Sequence, residues 1–159
     1  MEMKVFQYSL QNIKKLTSYI NSPESLPIED LKKESIGVRK GFQFNFDKTS
    51  GVFTLRILID FLCCNDIPNP INLFGATVQY DFLFKDFEDA LKEIDDSKVD
   101  IPDELLITLM SISYSTTRGI LAMLTMGTDY KEVFLPVVNV QEFSVLLNPA
   151  PELNPAPKQ

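Results

Sequence analysis

The clearest signal along the chain is a two-residue alternation of apolar and polar positions. Ile36, Val38, Phe42, Phe44 and Phe46 share one parity, while Gly37, Arg39, Gly41, Gln43, Asn45 and Asp47 take the other. This is the pattern of a strand with one buried face, here an unusually aromatic one. Lys48-Thr49-Ser50-Gly51 supplies a turn, and Phe53, Leu55, Ile57, Ile59 and Phe61 then form a second apolar face, with Thr54, Arg56 and Asp60 pointing the other way. Asn65–Asn72, with Pro68 and Pro70, reads as a loop. Beyond it Phe74, Ala76, Val78, Tyr80, Phe82 and Phe84 line a third strand. Three successive strands joined by connections of under about ten residues predict an antiparallel meander. Upstream, Val5–Ile20 alternates loosely through Val5, Tyr8, Leu10, Ile13 and Leu16, which predicts an interrupted strand and a sheet of four. Asn21–Glu34 holds Pro23, Pro27 and six charges, and reads as a long connection with one helical turn after Pro27.

The pattern changes at Lys85. From Lys85 to Glu104 there are nine acids against three lysines, a local charge of −6. Asp95, Asp96, Asp100 and Asp103 cluster there, but no D-x-D-x-D-G loop is present and no glycine permits the sharp turn of a calcium site. The segment is expected to be a solvated acidic connector. A helix follows, with Asp100 or Asp103 as its cap, Pro102 in its first turn and Gly127 ending it in the left-handed conformation. Leu105, Leu109, Ile112 and Met123 lie along one side and Leu106, Met110, Leu121 and Leu124 along another, with Ser113, Ser115, Thr116 and Thr117 between. A helix that is apolar or small on nearly every side is expected to be buried on nearly every side. One four-stranded sheet covers only one side, so a second copy of the chain is expected on the other. Asn139 caps a short final helix, Gln141–Leu147, and Asn148–Gln159 with Pro149, Pro151, Pro155 and Pro157 reads as an extended tail. The expected organisation is thus an α+β domain over residues 1–147 and a proline-rich flexible tail over 148–159.

Composition removes whole classes of chemistry. The 159 residues include no histidine, so Ser-His-Asp and Cys-His nucleophile systems, HExxH zinc sites and imidazole bases are excluded. Two cysteines without histidine cannot close a tetrahedral structural zinc site. A net charge of −7 lacks the basic footprint of a nucleic-acid binder. Cys63 and Cys64 are adjacent, about 3.8 Å apart at Cα, below the usual disulfide range of about 4.4–6.8 Å. Two free thiols and the charged start Met1-Glu2-Met3-Lys4 lead to the expectation of a cytoplasmic protein. The longest apolar stretch, Leu105 to Met126, contains seven Ser or Thr residues and Arg118, a poor composition for a membrane span. No enzyme, no metal and no cofactor is expected.

The order of elements, together with Tyr114 to Leu147, resembles the SecB family of export chaperones. The matching features are Tyr114 followed by Arg118, the run Ile120-Leu121-x-x-Leu124, Gly127-Thr128, Leu135-Pro136-Val137 with Asn139, and a short helix containing Phe143. The resemblance implies four antiparallel strands with a long crossover between the first two. It also implies a dimer of dimers, a homotetramer, with the long helices sandwiched between sheets. Its functional implication is an ATP-independent holdase in protein transport, binding unfolded or pre-secretory polypeptide in aromatic-lined grooves. Where family members carry acids that dock the SecA motor, this chain has Lys15, Tyr19 and Thr77, which cannot complement the same surface. The fold also serves toxin–antitoxin systems by protecting an antitoxin, so SecA and an antitoxin are alternative partners beside the clients.

Candidate client-binding residues are Phe42, Phe44, Phe46, Phe82, Phe84, Tyr130, Phe134 and Phe143, each weighed against an ordinary role in the core or in stapling a loop. Leu109, Ile112, Thr116, Arg118, Ile120 and Met123 are candidates for the contact between copies, with Arg118 read as binding a partner carboxylate or as making an ion pair between or within chains. Met110, Met123 and Met126 read most simply as core filler. Asp81 and Asp86 lack the polar companions of a general acid–base pair. A small module binding an apolar ligand, and a purely structural assembly subunit, are the rival readings.

Overall fold

The computed structural model of the chain describes residues 7–22, 36–63, 70–86, 92–95 and 98–147. Within them the alternating segments become β1 (Gln7–Ile20), β2 (Ile36–Asp47), β3 (Val52–Cys63) and β4 (Ile71–Lys85). They form one antiparallel sheet in the spatial order β1-β4-β3-β2. Strands β2, β3 and β4 are the expected meander, and β1 pairs with β4, so the connection out of β1 crosses to the far edge. The looseness of the β1 pattern has a structural cause. Its register against β4 slips between Leu10 and Asn12 and again between Lys15 and Thr17, and each bulge resets which parity faces the core.

The turn between β2 and β3 is built by its own side chains. Asp47 accepts from the Thr49 amide at 2.9 Å and the Ser50 hydroxyl at 2.6 Å, bonds that hold its carboxyl below the usual range. Gly51, at φ 68°, supplies the left-handed step that returns the chain.

Helix α1 (Asp103–Thr125) lies against β3 and β4, and a short helix α2 (Val140–Leu147) packs on α1. The core is the inner face of the two central strands (Phe53, Leu55, Ile57, Ile59 and Phe61 on β3; Phe74, Val78, Tyr80 and Phe82 on β4) against Leu105, Leu109, Met110, Tyr114 and Leu121 of α1. Tyr80 and Thr117 join their hydroxyls at 2.7 Å inside this layer. Because the Thr117 hydroxyl already donates to the Ser113 carbonyl at 2.9 Å, Tyr80 is the donor.

Several details depart from the sequence expectations. The acidic connector contains a small antiparallel hairpin, β5 (Lys92–Asp95) with β6 (Lys98–Asp100). The residue capping α1 is Pro102, which offers no side-chain bond, while Asp103 and Glu104 occupy the first turn, where their charge suits the helix dipole. Gly127 does take the left-handed conformation, at φ 79°, one residue after Met126 ends the helix. Asn139 caps α2 as expected, accepting from the Gln141 amide at 3.1 Å. The helical turn after Pro27 and the tail 148–159 lie outside the described residues. Helix α1 is long and apolar enough to cross a bilayer, and here one of its faces packs on the sheet.

Candidate functional site

Because α1 runs over β3 and β4, the inner faces of the two edge strands extend beyond its cover. On β1 this leaves Leu10 and Ile13 about two-fifths exposed, at 40% and 43%. On β2 the inner row is Ile36, Val38, Lys40, Phe42, Phe44 and Phe46, each directly opposite a buried residue of β3. Phe44 is 42% exposed, while Phe42 and Phe46 are half-buried.

This β2 flank is aromatic along its length. Phe44 stacks on Phe53 with centroids 6.0 Å apart, and Phe46 meets Phe84 edge-on at 6.0 Å. Phe42 meets Phe143 of α2 edge-on at 6.1 Å, and Phe143 in turn meets Tyr114 of α1 at 5.8 Å. The flank is therefore a trough whose floor is β2 and whose far wall is the α1–α2 corner. The loop at that corner is pinned from α1: Tyr114 donates to the Pro136 carbonyl at 3.1 Å, and Arg118 Nε to the Leu135 carbonyl at 2.9 Å.

The eight aromatic candidates divide sharply. Phe82, Phe84, Tyr130 and Phe143 are buried within the chain itself, at 0%, 4%, 2% and 2% exposure. Tyr130 sits 5.1 Å from the Phe74 ring and donates to the Asn21 carbonyl, which ties the loop after α1 to the end of β1. Phe134 is exposed at 62% in the α1–α2 loop. The solvent-facing aromatics are therefore Phe44 and Phe134, with Phe42 and Phe46 partly so.

Lys40 has no place in the sequence reading, although it shares the parity of Phe42, Phe44 and Phe46. Its ammonium lies 5.4 Å from the centre of the Tyr114 ring, at the α-helical end of the trough. Among the described residues no carboxylate pairs with it, and the described ion pair is Arg39–Asp60 at 2.8 Å on the opposite face.

The helix candidates divide as well. Leu109 is fully buried against the sheet, and Arg118 donates through Nε to the Leu135 carbonyl of its own chain. Thr116 and Ile120 are half-buried. Ile112 and Met123 are exposed at 37% and 75%, and with Ser115 and Gly119 they form an uncharged stripe on the side of α1 away from the sheet. A Cβ built on Gly119 would meet nothing within 4 Å. Of the three methionines expected in the core, only Met110 is there, and Met126 is exposed at 73%.

The outer face of the sheet is mostly polar, with Leu58 exposed on it at 39%. Asp81 accepts from Asn12 at 3.3 Å, Thr54 at 3.0 Å and Gln79 at 3.0 Å, polar companions that the sequence did not reveal because they come from β1, β3 and β4 together. Tyr19 and Thr77 lie on this face, but the β1 bulges put Lys15 opposite Val78, on the inner side, and bring Lys14 opposite Gln79 instead. A cavity of about 460 Å³ opens here beside the β2 edge, lined by Gln43, Phe44, Asn45, Thr54, Arg56 and Gln79. The tyrosine shifts run away from neutrality: burial pushes Tyr80 and Tyr114 up to about 12 and raises Tyr19 and Tyr130. Among the described residues no three of His, Cys, Asp or Glu cluster as metal ligands.

No family model matches the chain, and no curated protein matches it either. Solved structures do. A SecB-like chaperone of Mycobacterium tuberculosis, Rv1957, solved in complex with a ChAD peptide from the HigA1 antitoxin, superposes with a TM-score of 0.50 at 12% identity, covering 83% of this chain and 88% of the other. A protein of unknown function from Streptococcus agalactiae superposes with a TM-score of 0.40 at 7% identity, covering 76% and 89%. The fold is therefore SecB-like: a four-stranded antiparallel sheet followed by a long and a short helix.

Proposed function

We propose that this chain is an ATP-independent chaperone that holds unfolded polypeptide along the β2 flank. The observation that carries the reading is the trough itself. An edge strand bears a row of aromatic side chains, Phe42, Phe44 and Phe46, that the chain's own helix leaves partly uncovered. Apolar burial at about 25 cal/mol per Å² and main-chain pairing to a strand edge are both largely indifferent to client sequence, as a holdase requires. The SecB-like fold supports the same reading.

The neighbour's antitoxin peptide favours one client class, and protection of an antitoxin is the second reading. Export through SecA is less well supported, because neutral Tyr19 and Thr77 and basic Lys14 occupy the outer face. A pocket for a small apolar ligand is disfavoured by the cavity at the β2 edge, whose lining is five polar residues and one phenylalanine. The buried free Cys63 accords with a reducing, cytoplasmic setting.

Assembly belongs to the same proposal. The uncharged stripe of Ile112, Ser115, Gly119 and Met123 is the surface on which a second copy would seat α1, giving a dimer or tetramer. The test is suppression of aggregation of a reduced, unfolded client at near-stoichiometric ratio without nucleotide, with native mass measured in parallel. Suppression by an oligomer is expected. No suppression, from a protein that runs as a monomer, overturns the reading.

A further inference from the structure

The β2 edge presents different chemistry on its two faces. On the inner side Lys40, Phe42, Phe44 and Phe46 follow at every second residue, about 6.6–6.8 Å apart along the strand. On the outer side, Gln43 and Asn45 border the cavity together with Arg56. The Arg56 side chain is held by its Nε bond to Gln79 at 2.8 Å, and Gln79 is itself held by Asp81. Among the described residues β2 pairs only with β3, which leaves its other edge open to a further strand.

A strand added to that edge must send alternate side chains to opposite faces. One parity meets the aromatic row and, at its end, the ammonium of Lys40. The other meets carboxamides and a guanidinium. We propose that this edge selects extended polypeptide segments of alternating character, with apolar residues over the phenylalanine row, an acidic residue continuing that row at Lys40, and polar or acidic residues over Gln43, Asn45 and Arg56. The inference rests on the chaperone reading and narrows its substrate class from any hydrophobic stretch to an amphipathic strand with a carboxylate at one end.

Charge complementarity supports the choice of occupant. Lys40 on the inner face of β2 and Arg56 of β3 on the outer face beside Gln43 are not paired with a described carboxylate, whereas Arg39 is already matched by Asp60. A uniformly apolar segment would bury half its side chains over the polar cavity, without partners for the amides there. A segment with a basic residue in the Lys40 row would place like charges together.

The experiment uses the full-length protein and fluorescein-labelled synthetic peptides of about a dozen residues, followed by anisotropy. One peptide alternates valine or phenylalanine with glutamine or glutamate and ends its apolar row in glutamate. The second has the same composition with its apolar residues in one block, and the third replaces the terminal glutamate by lysine. The alternating peptide is expected to bind roughly tenfold more tightly than the block, and the lysine peptide several-fold more weakly than the alternating one. In a Lys40→Glu variant the order of the glutamate and lysine peptides reverses. Equal binding of alternating and block peptides, or an unchanged order in Lys40→Glu, overturns the inference and leaves the chaperone reading standing. Binding of none of the peptides, together with failure to suppress client aggregation, removes both. Peptide binding that disappears as protein concentration rises would assign the edge to a second copy of the chain and likewise overturn the inference.

Discussion

Tyr19 on β1 donates a 2.7 Å hydrogen bond to Asp60 on β3, although β4 lies between them. The bond passes over Gly75, the β4 residue directly opposite both in the register. Arg39 on β2 completes the row with a forked contact to the other Asp60 oxygen, at 3.1 and 2.8 Å. One carboxylate thus links β1, β3 and β2 on the solvent side across β4, and the absence of a side chain at position 75 is what makes the span possible.

Alanine at that position has no room. A Cβ on Gly75 would sit 2.5 Å from the Ile59 carbonyl oxygen, 2.8 Å from the Asp60 carboxylate and 3.0 Å from the Tyr19 ring. The first of these is backbone and cannot swing aside. Gly75→Ala is expected to cost about 1–3 kcal/mol by urea denaturation. Gly41→Ala, whose nearest neighbours are side-chain atoms at 3.5 and 3.7 Å, should change stability little. Equal effects at the two sites would refute this account of the row.

The buried Tyr80–Thr117 pair gives an asymmetric pair of variants. Thr117→Val strands the phenol hydrogen of Tyr80 at 0% exposure, an expected loss of about 1–3 kcal/mol. Tyr80→Phe costs less, because Thr117 keeps its bond to the Ser113 carbonyl. Alkaline unfolding reports on the same residue. A phenol that ionises near 10 when unfolded and at about 12 when folded leaves the folded state holding more protons in between. Stability is therefore complete below pH 10 and is lost as pH rises toward 12, and replacing Tyr80 by phenylalanine should flatten that slope in a denaturation series.

The division of the phenylalanines into exposed and buried separates binding from folding. Phe44→Ser is expected to weaken peptide and client binding while shifting the unfolding midpoint by about 1 kcal/mol or less. Phe82→Ala opens a cavity at a fully buried site, with an expected loss of about 3–5 kcal/mol. A Phe44→Ser protein that suppresses aggregation as well as the parent would move the client site away from β2.

The α1 stripe is tested by charge. Met123→Glu and Ile112→Glu place a carboxylate on an exposed, uncharged surface, where a monomer would tolerate it. In an assembly closed through α1 the same changes bury an unpaired charge, and native mass should fall to that of a single chain. Unchanged mass in both variants would place the contact elsewhere.

Alternation alone determined the strands β2, β3 and β4, their meander and the existence of an apolar inner face, because a pleated backbone translates sequence parity directly into a choice of side. The cap at Asn139 and the left-handed Gly127 were legible for the same local reason. What the tertiary structure decided was which apolar residues are covered. Phe44 and Phe82 belong to the same parity pattern, yet one is exposed and the other buried, because α1 lies over the central strands and stops short of the edges. Lys15 and Lys14 exchanged faces through two bulges that leave no distinct mark in the sequence. Lys40 stood in the aromatic row by parity, but its place beside Tyr114 depends on a helix more than sixty residues further along the chain. Periodicity reports the face of each strand; only the packing of one layer on another reports what that face meets.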